Sequence, residues 1–226
     1  MISLYLTLNP CGDAWVFCIP QKKGEITNRM NVNKTLQIIT ESALCIALAI
    51  VLSLITLFHM PLGGSVTPFA TLPIIIIGLR HGAKWGVVGA LVFSLTQLLL
   101  GISNVVAVPV KNMGNMLLCA ALDYVLAYTI LGFAGSIAQR FQKRVPGLVV
   151  GILVTGSGRL ACSFFSGVLI WGPFTPEGWN VALYSLAYNV AWCLPDTVIT
   201  LAACLLLARV PALGLFPPEK TAIQGR

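Results

Sequence analysis

The sequence predicts an all-α integral membrane protein, a compact bundle of six transmembrane helices with both termini cytoplasmic. Three observations carry this expectation. The chain is 57% hydrophobic and 9% charged, with a mean hydropathy of +0.89, whereas a soluble domain carries roughly 25% charged residues. Such a chain cannot cover itself with polar surface, and its 226 residues suit one membrane domain. The apolar residues gather into six runs, and the basic residues fall at the ends of those runs, almost all on one side.

Residues 1–29 contain no uninterrupted apolar core and no small-residue cleavage site, so they make a poor signal peptide. Met30 stands just before a clean helix start, with Asn33 or Thr35 as cap. Residues 1–29 are therefore expected to be a non-native or disordered extension, residues 30–213 the membrane domain, and residues 214–226 a cytoplasmic tail. The first apolar run covers residues 36–58. The second, residues 67–79, carries Pro68 and Pro73 and falls short of the roughly 20 residues that a spanning helix needs. Part of that crossing is expected to be loop or irregular backbone buried in protein. The remaining runs cover residues 85–101, 113–137, 149–171 and 181–207.

Lys22, Lys23, Arg29 and Lys34 precede the first run. Arg80 and Lys84 join the second to the third, and Arg140, Lys143 and Arg144 the fourth to the fifth. Arg209, Lys220 and Arg226 follow the sixth. Lys111 alone lies opposite, with Glu177, and Arg159 lies within the membrane. The basic side is expected to be the cytoplasm. The net charge of +7 is not concentrated on a helix face or interleaved with aromatics, so no nucleic-acid partner is expected. The seven Cys, Cys11, Cys18, Cys45, Cys119, Cys162, Cys193 and Cys204, form no CxxC pair and read as small apolar residues.

Ionisable groups inside a bilayer are costly and usually functional. Arg159, Asp123 and Asp196, which follows Pro195, all fall within apolar runs, while Glu41 lies near the cytoplasmic end of the first and can snorkel. Arg159 and Asp123 are expected to face one interior space, where they either pair or each hold part of a polar ligand. A salt bridge that only fixes helix packing is the alternative. Arg159, Ser163 and Ser166 share one helical face, a polar stripe in an apolar run. Trp171 closes that run either as a pocket wall or as an interfacial anchor. Tyr184, Tyr188 and Asn189 open the sixth run, and an amide at that depth prefers the interior. An aromatic site with one carboxylate, one guanidinium and one amide suits a small, flat, polar molecule of cationic character.

Other classes lack their parts. There is no GxxxxGK[ST], and "GSGR" at residues 156–159 lacks the Lys-Ser/Thr ending. His59 and His81 stand outside any HExxH, and no metal is expected. No nucleophile–base set is visible, so neither an enzyme nor a cofactor is expected. A stand-alone ion-coupled carrier using Asp123 and Asp196 stays open, though no inverted repeat is visible.

The segments "TESALCIALAIVLSLI", "GGSVTPFATLPIIIIGLRHGAKWG", "ALDYVLAYTILGFAG", Arg159 to Trp171, and "YSLAYN" follow one another across nearly the whole hydrophobic region. In this order they resemble the thiamine-specific substrate-binding (S) component of energy-coupling factor transporters, the ThiT or YuaJ type. The more specific feature is a spacing: a basic residue, a Trp twelve later, a Tyr thirteen after it, and an Asn five further. The resemblance implies a six-helix membrane fold that binds thiamine between its later helices and first loop. It implies docking, through an AxxxA motif in the first helix, onto a transmembrane coupling protein with two ATPase subunits. In this chain the motif is Ala43 and Ala47, and small residues at that spacing let two helices approach closely. The implied substrate-binding residues are Asp123, Tyr124, Arg159, Ser163, Trp171, Tyr184 and Asn189. Asp123 is expected to accept from the aminopyrimidine. Arg159, which repels the thiazolium, is expected to keep Asp123 ionised and oriented. The chain departs from the pattern at Ser163, where the family has His, at Gly64–Ser65, where some members have an aromatic, and at Asp123, where some have Glu. A related thiamine precursor, a thiamine phosphate or another vitamin remains an alternative ligand.

Overall fold

The structure is a computed structural model that describes residues 23–60 and 64–210. Helix α1 runs Lys23–Ser53. It begins before the expected caps Asn33 and Thr35, because no proline interrupts residues 23–53 and a cap-type residue starts a helix only where the preceding backbone leaves helical angles. It also stops short of residue 58. Phe58–His59 (β1) pairs antiparallel with Ser65–Val66 (β2), Phe58 opposite Val66. The apolar run passes from helix to strand without a change in hydropathy, so composition alone could not place that boundary. By its contacts the chain divides between Thr40 and Glu41, and the features below belong to the second unit, Glu41 onward.

Helix α2 is short, Leu72–His81, with Pro73 in its first turn, where a missing N–H costs nothing. The crossing expected at residues 67–79 is thus a turn followed by ten residues of helix. Gly82, at φ 83°, turns the chain directly into α3, Ala83–Leu100; a side chain is disfavoured in that left-handed region. The single-turn α4, Ile102–Val106, follows. Helix α5, Met113–Ala138, is one continuous helical stretch that starts where Asn112 Oδ1 accepts from Asn115 N at 2.7 Å. Within it, Ala120–Leu126 is π-helical and Ile130–Phe133 is a 3-10 turn. Helix α6 spans Arg144–Leu169, starting ahead of the expected residue 149. Helix α7 spans Val181–Ala208 under an Asn180 cap and contains Pro195.

Among the described residues, five helical stretches are long and apolar enough to cross a bilayer: Lys34–Ser53, α3, α5, α6 and α7. Leu91, Leu95 and Leu99 on α3, Phe165 and Leu169 on α6, and Leu183, Leu194 and Val198 on α7 are all exposed. Outward apolar faces on that scale, with backbone polar groups paired inside helices, describe a multi-pass membrane protein.

Inside, α2 is the hub. Ile75 and Leu79 pack with Ala134, Ala138, Leu148, Ile152 and Cys204, and Ile74 and Ile77 pack with Ala49, Ala90 and Phe93. The helices approach at backbone distance: a Cβ on Gly135 would overlap the carbonyl of Gly78. Because the obstacle is backbone, it cannot swing aside. Gly135→Val is therefore expected to destabilise the fold by about 1–3 kcal/mol, read as a lower midpoint of thermal unfolding in detergent. An unchanged midpoint would show that α2 and α5 can separate freely. At one end of α2, Glu41 Oε2 lies 3.1 Å from both Arg80 Nη2 and His81 Nε2, so Glu41 is paired rather than merely snorkelling.

Candidate functional site

A cavity of about 120 Å³ lies among α5, α6, α7 and the β1–β2 hairpin. All seven residues expected to bind substrate line it: Asp123 and Tyr124 from α5, Arg159 and Ser163 from α6, Trp171 beyond the end of α6, and Tyr184 and Asn189 from α7.

Asp123 sits in the π-helical segment. The wider i→i+5 turn re-aims side chains, which is why such bulges gather at functional sites. Three donors converge on Asp123 Oδ2: Ser166 Oγ at 2.5 Å, Cys119 Sγ at 3.4 Å and Trp171 Nε1 at 3.4 Å. The Trp171 indole is thus bound to the site rather than serving only as an interfacial anchor, and it stacks on Phe174. Tyr124 is fixed by the turn between α3 and α4: its hydroxyl donates to Gly101 O at 3.1 Å and accepts from Asn104 Nδ2 at 3.3 Å.

Arg159 does not pair with Asp123. Its Nη1 donates to Asp196 Oδ2 at 2.5 Å. The reason is position along α6. The contact of Asp123 with that helix is Ser166, seven residues beyond Arg159, or about 10.5 Å of helical rise. Asp196, on the neighbouring α7, lies level with the guanidinium instead. Arg159 is 4% exposed and Asp196 1%. The guanidinium carbon also lies 4.6 Å from the Tyr128 ring centre and 4.9 Å from that of Trp192, and Nη2 donates to the Tyr128 hydroxyl at 3.3 Å. The expected role of Arg159 as the group that orients Asp123 is therefore corrected: Ser166, Cys119 and Trp171 orient Asp123. The carrier alternative loses a free carboxylate as well, since Asp196 is committed to Arg159.

Ser163 and Ser166 are buried on the same face as Arg159, as their spacing predicts. Asn189 is engaged at both ends. Its Nδ2 donates to Ser185 O at 2.9 Å and Ser163 O at 3.2 Å, and its Oδ1 accepts from Trp192 Nε1 at 3.2 Å. It ties α6 to α7 and holds an indole in place. Gly64 N donates to the Tyr188 hydroxyl at 3.1 Å, and a Cβ there would press on Trp192. The hairpin consequently sits close against α7.

Other lining residues, among them Asn104, Cys119, Tyr128, Gly167, Ser185 and Trp192, were not singled out as contacts from sequence, and Tyr188 was noted only as opening the sixth run. Trp192 was recoverable, being four from Tyr188 and three from Asn189 on α7. Tyr128 was not. Five residues from Asp123, it would sit about 140° round an ordinary α-helix, and only the π-helical turn brings both to one cavity.

The sequence model of the thiamine transporter protein family (Thia_YuaJ) matches residues 39–213. Thiamine transporter ThiT of Bacillus subtilis (strain 168) is 30% identical over 197 residues, covering 81% of this chain and 97% of that protein. Its counterpart from Lacticaseibacillus paracasei is 28% identical over 188 residues, covering 76% and 87%. A solved structure of ThiT from Listeria monocytogenes superposes with a TM-score of 0.65 at 25% identity, over 81% of this chain and 100% of that one. With a multi-pass helical fold and a family match over most of its length, the chain belongs to the thiamine transporter protein family, a family of membrane transporters rather than enzymes.

Proposed function

We propose that the protein binds thiamine in this cavity and delivers it as the substrate-specific subunit of an ATP-driven energy-coupling factor transporter. The observation that carries the reading is Asp123, an intramembrane carboxylate on an aromatic cavity wall whose protein donors all reach Oδ2. That leaves Oδ1 to accept from a ligand. Thiamine supplies a fixed thiazolium cation and an aminopyrimidine with N–H donors. Asp123 favours both, and the faces of Tyr124, Trp171 and Tyr184 suit a flat cation. Ser163 is short where the family's His is long, and with Arg159 and Asn189 it shapes the wall.

Asp123→Asn keeps the size and removes the charge. It is expected to bind thiamine at least about tenfold more weakly, roughly 1.4 kcal/mol, by tryptophan-fluorescence titration in detergent. Unchanged affinity in a well-folded variant would remove Asp123 from the site. The same titration with thiamine phosphates and pyrimidine precursors decides among related ligands. Uptake by the chain alone into ATPase-free vesicles would favour the ion-coupled carrier instead.

The basic residues orient the chain with both termini cytoplasmic, and counting α2 with the turn before it as one crossing gives six. Residues 1–29 are an extension the function does without. Deleting them trims α1 but spares Lys34–Ser53, whose 20 residues still suffice to cross a bilayer. Thiamine affinity of that truncation is expected within about twofold of the full chain. A truncated protein that no longer reaches the membrane would overturn this.

A further inference from the structure

Two ionisable side chains of opposite sign line the cavity, Asp123 and Arg159. Taken alone they cancel and give the site no preference for ligand charge. Asp196 changes the sum. It stands behind the wall on α7, nearly sealed from solvent, with its Oδ2 on Arg159 Nη1. The Tyr128 and Trp192 rings also lie against that guanidinium, their centres 4.6 Å and 4.9 Å from its carbon. Arg159 and Asp196 therefore form an internally neutral unit, and the carboxylate of Asp123 is left uncompensated. In a membrane-embedded site charge differences are felt more strongly than in water.

We propose that Asp196 is a positioning residue that sets the charge selectivity of the cavity: by neutralising Arg159 from behind, it makes the site prefer a cation over the same molecule carrying an anionic group. The proposal rests on the thiamine-binding reading and extends it to a residue outside the cavity wall.

The test compares thiamine with thiamine monophosphate, which shares both rings and adds roughly 1.5 to 2 negative charges. Each is titrated against the full-length protein in detergent, and the readout is the ratio of the two dissociation constants. Asp196→Asn keeps the shape and an acceptor for Arg159 but leaves the guanidinium charge uncompensated. The preference for thiamine over its phosphate is expected to fall at least about tenfold. Arg159→Gln/Asp196→Asn removes both charges together and strands neither. Its preference is expected to stay within about threefold of wild type, even if both affinities fall together. Asp196→Glu, which retains the charge, is expected to keep the wild-type preference.

A merely structural Asp196 would weaken both ligands equally in Asp196→Asn and leave the ratio unchanged, which overturns the proposal. A double variant whose preference collapses like that of the single would also overturn it. Should Asp196→Asn fail to fold, Arg159→Gln is compared with the double variant: the Asp196 charge it retains is expected to raise the preference for thiamine at least about tenfold over the double, and equal ratios overturn the proposal. Wild type that binds no thiamine would overturn the thiamine reading and this proposal with it. Thiamine binding with a ratio indifferent to Asp196 overturns this proposal only.

Discussion

Arg159→Ala is expected to lose most of its folded population. Asp196 is 1% exposed, and its Oδ2 is held by Arg159 at 2.5 Å. Truncating the arginine leaves a carboxylate inside a bilayer-spanning bundle and also vacates the space between the Tyr128 and Trp192 rings. Removing one member of a fully buried pair costs about 3–5 kcal/mol, a large share of a typical total stability of about 5–15 kcal/mol. Arg159→Lys should lose less, because the charge stays and only the planar stacking and second donor are lost. The measurement is the fraction recovered as monodisperse protein together with the thermal midpoint in detergent. Equal midpoints for wild type and Arg159→Ala would show that Asp196 finds another partner and that the pair is dispensable.

Ala43→Leu and Ala47→Leu are expected to abolish transport while leaving thiamine binding intact. Both alanines are exposed on α1, while Ser42 and Ala49 face inward. Leu44, Leu48 and Val51 flank them on the exposed side, so the two small side chains lie as a shallow seam between larger ones. A partner helix packed along such a seam approaches closely, and four-carbon side chains there would push it away. Neither alanine lines the cavity. Uptake is read with the proposed coupling protein and ATPase partners present, and binding with the purified variant. A loss of binding equal to the loss of uptake would remove the docking role.

Much of this was legible in the sequence because a bilayer makes chemistry one-dimensional: an ionisable residue in an apolar run has to go inward. Asp123 and Arg159 were placed on one cavity by that rule, and Ser163 by helical spacing. Which carboxylate meets Arg159 was not legible. Asp123 and Asp196 are equally intramembrane in the sequence, and the choice depends on how far along α6 each neighbouring helix makes its contact. Tyr128 was hidden by a change of helical pitch inside α5, since periodicity presumes a constant turn. The β1–β2 hairpin was hidden because Phe58 is as apolar as the helix before it. The start of α1 was misplaced because Asn33 and Thr35, good caps by type, lie inside a longer helix.

The most direct test of the central claim, that thiamine sits in this cavity on Asp123, is an experimental structure of the protein determined with thiamine bound. The account predicts the aminopyrimidine nitrogens within hydrogen-bond distance of the Asp123 carboxylate, the rings against Trp171 or Tyr184, and Arg159 still paired with Asp196. Thiamine bound elsewhere, or with its pyrimidine on Asp196 and Asp123 left to the protein's own donors, would contradict it.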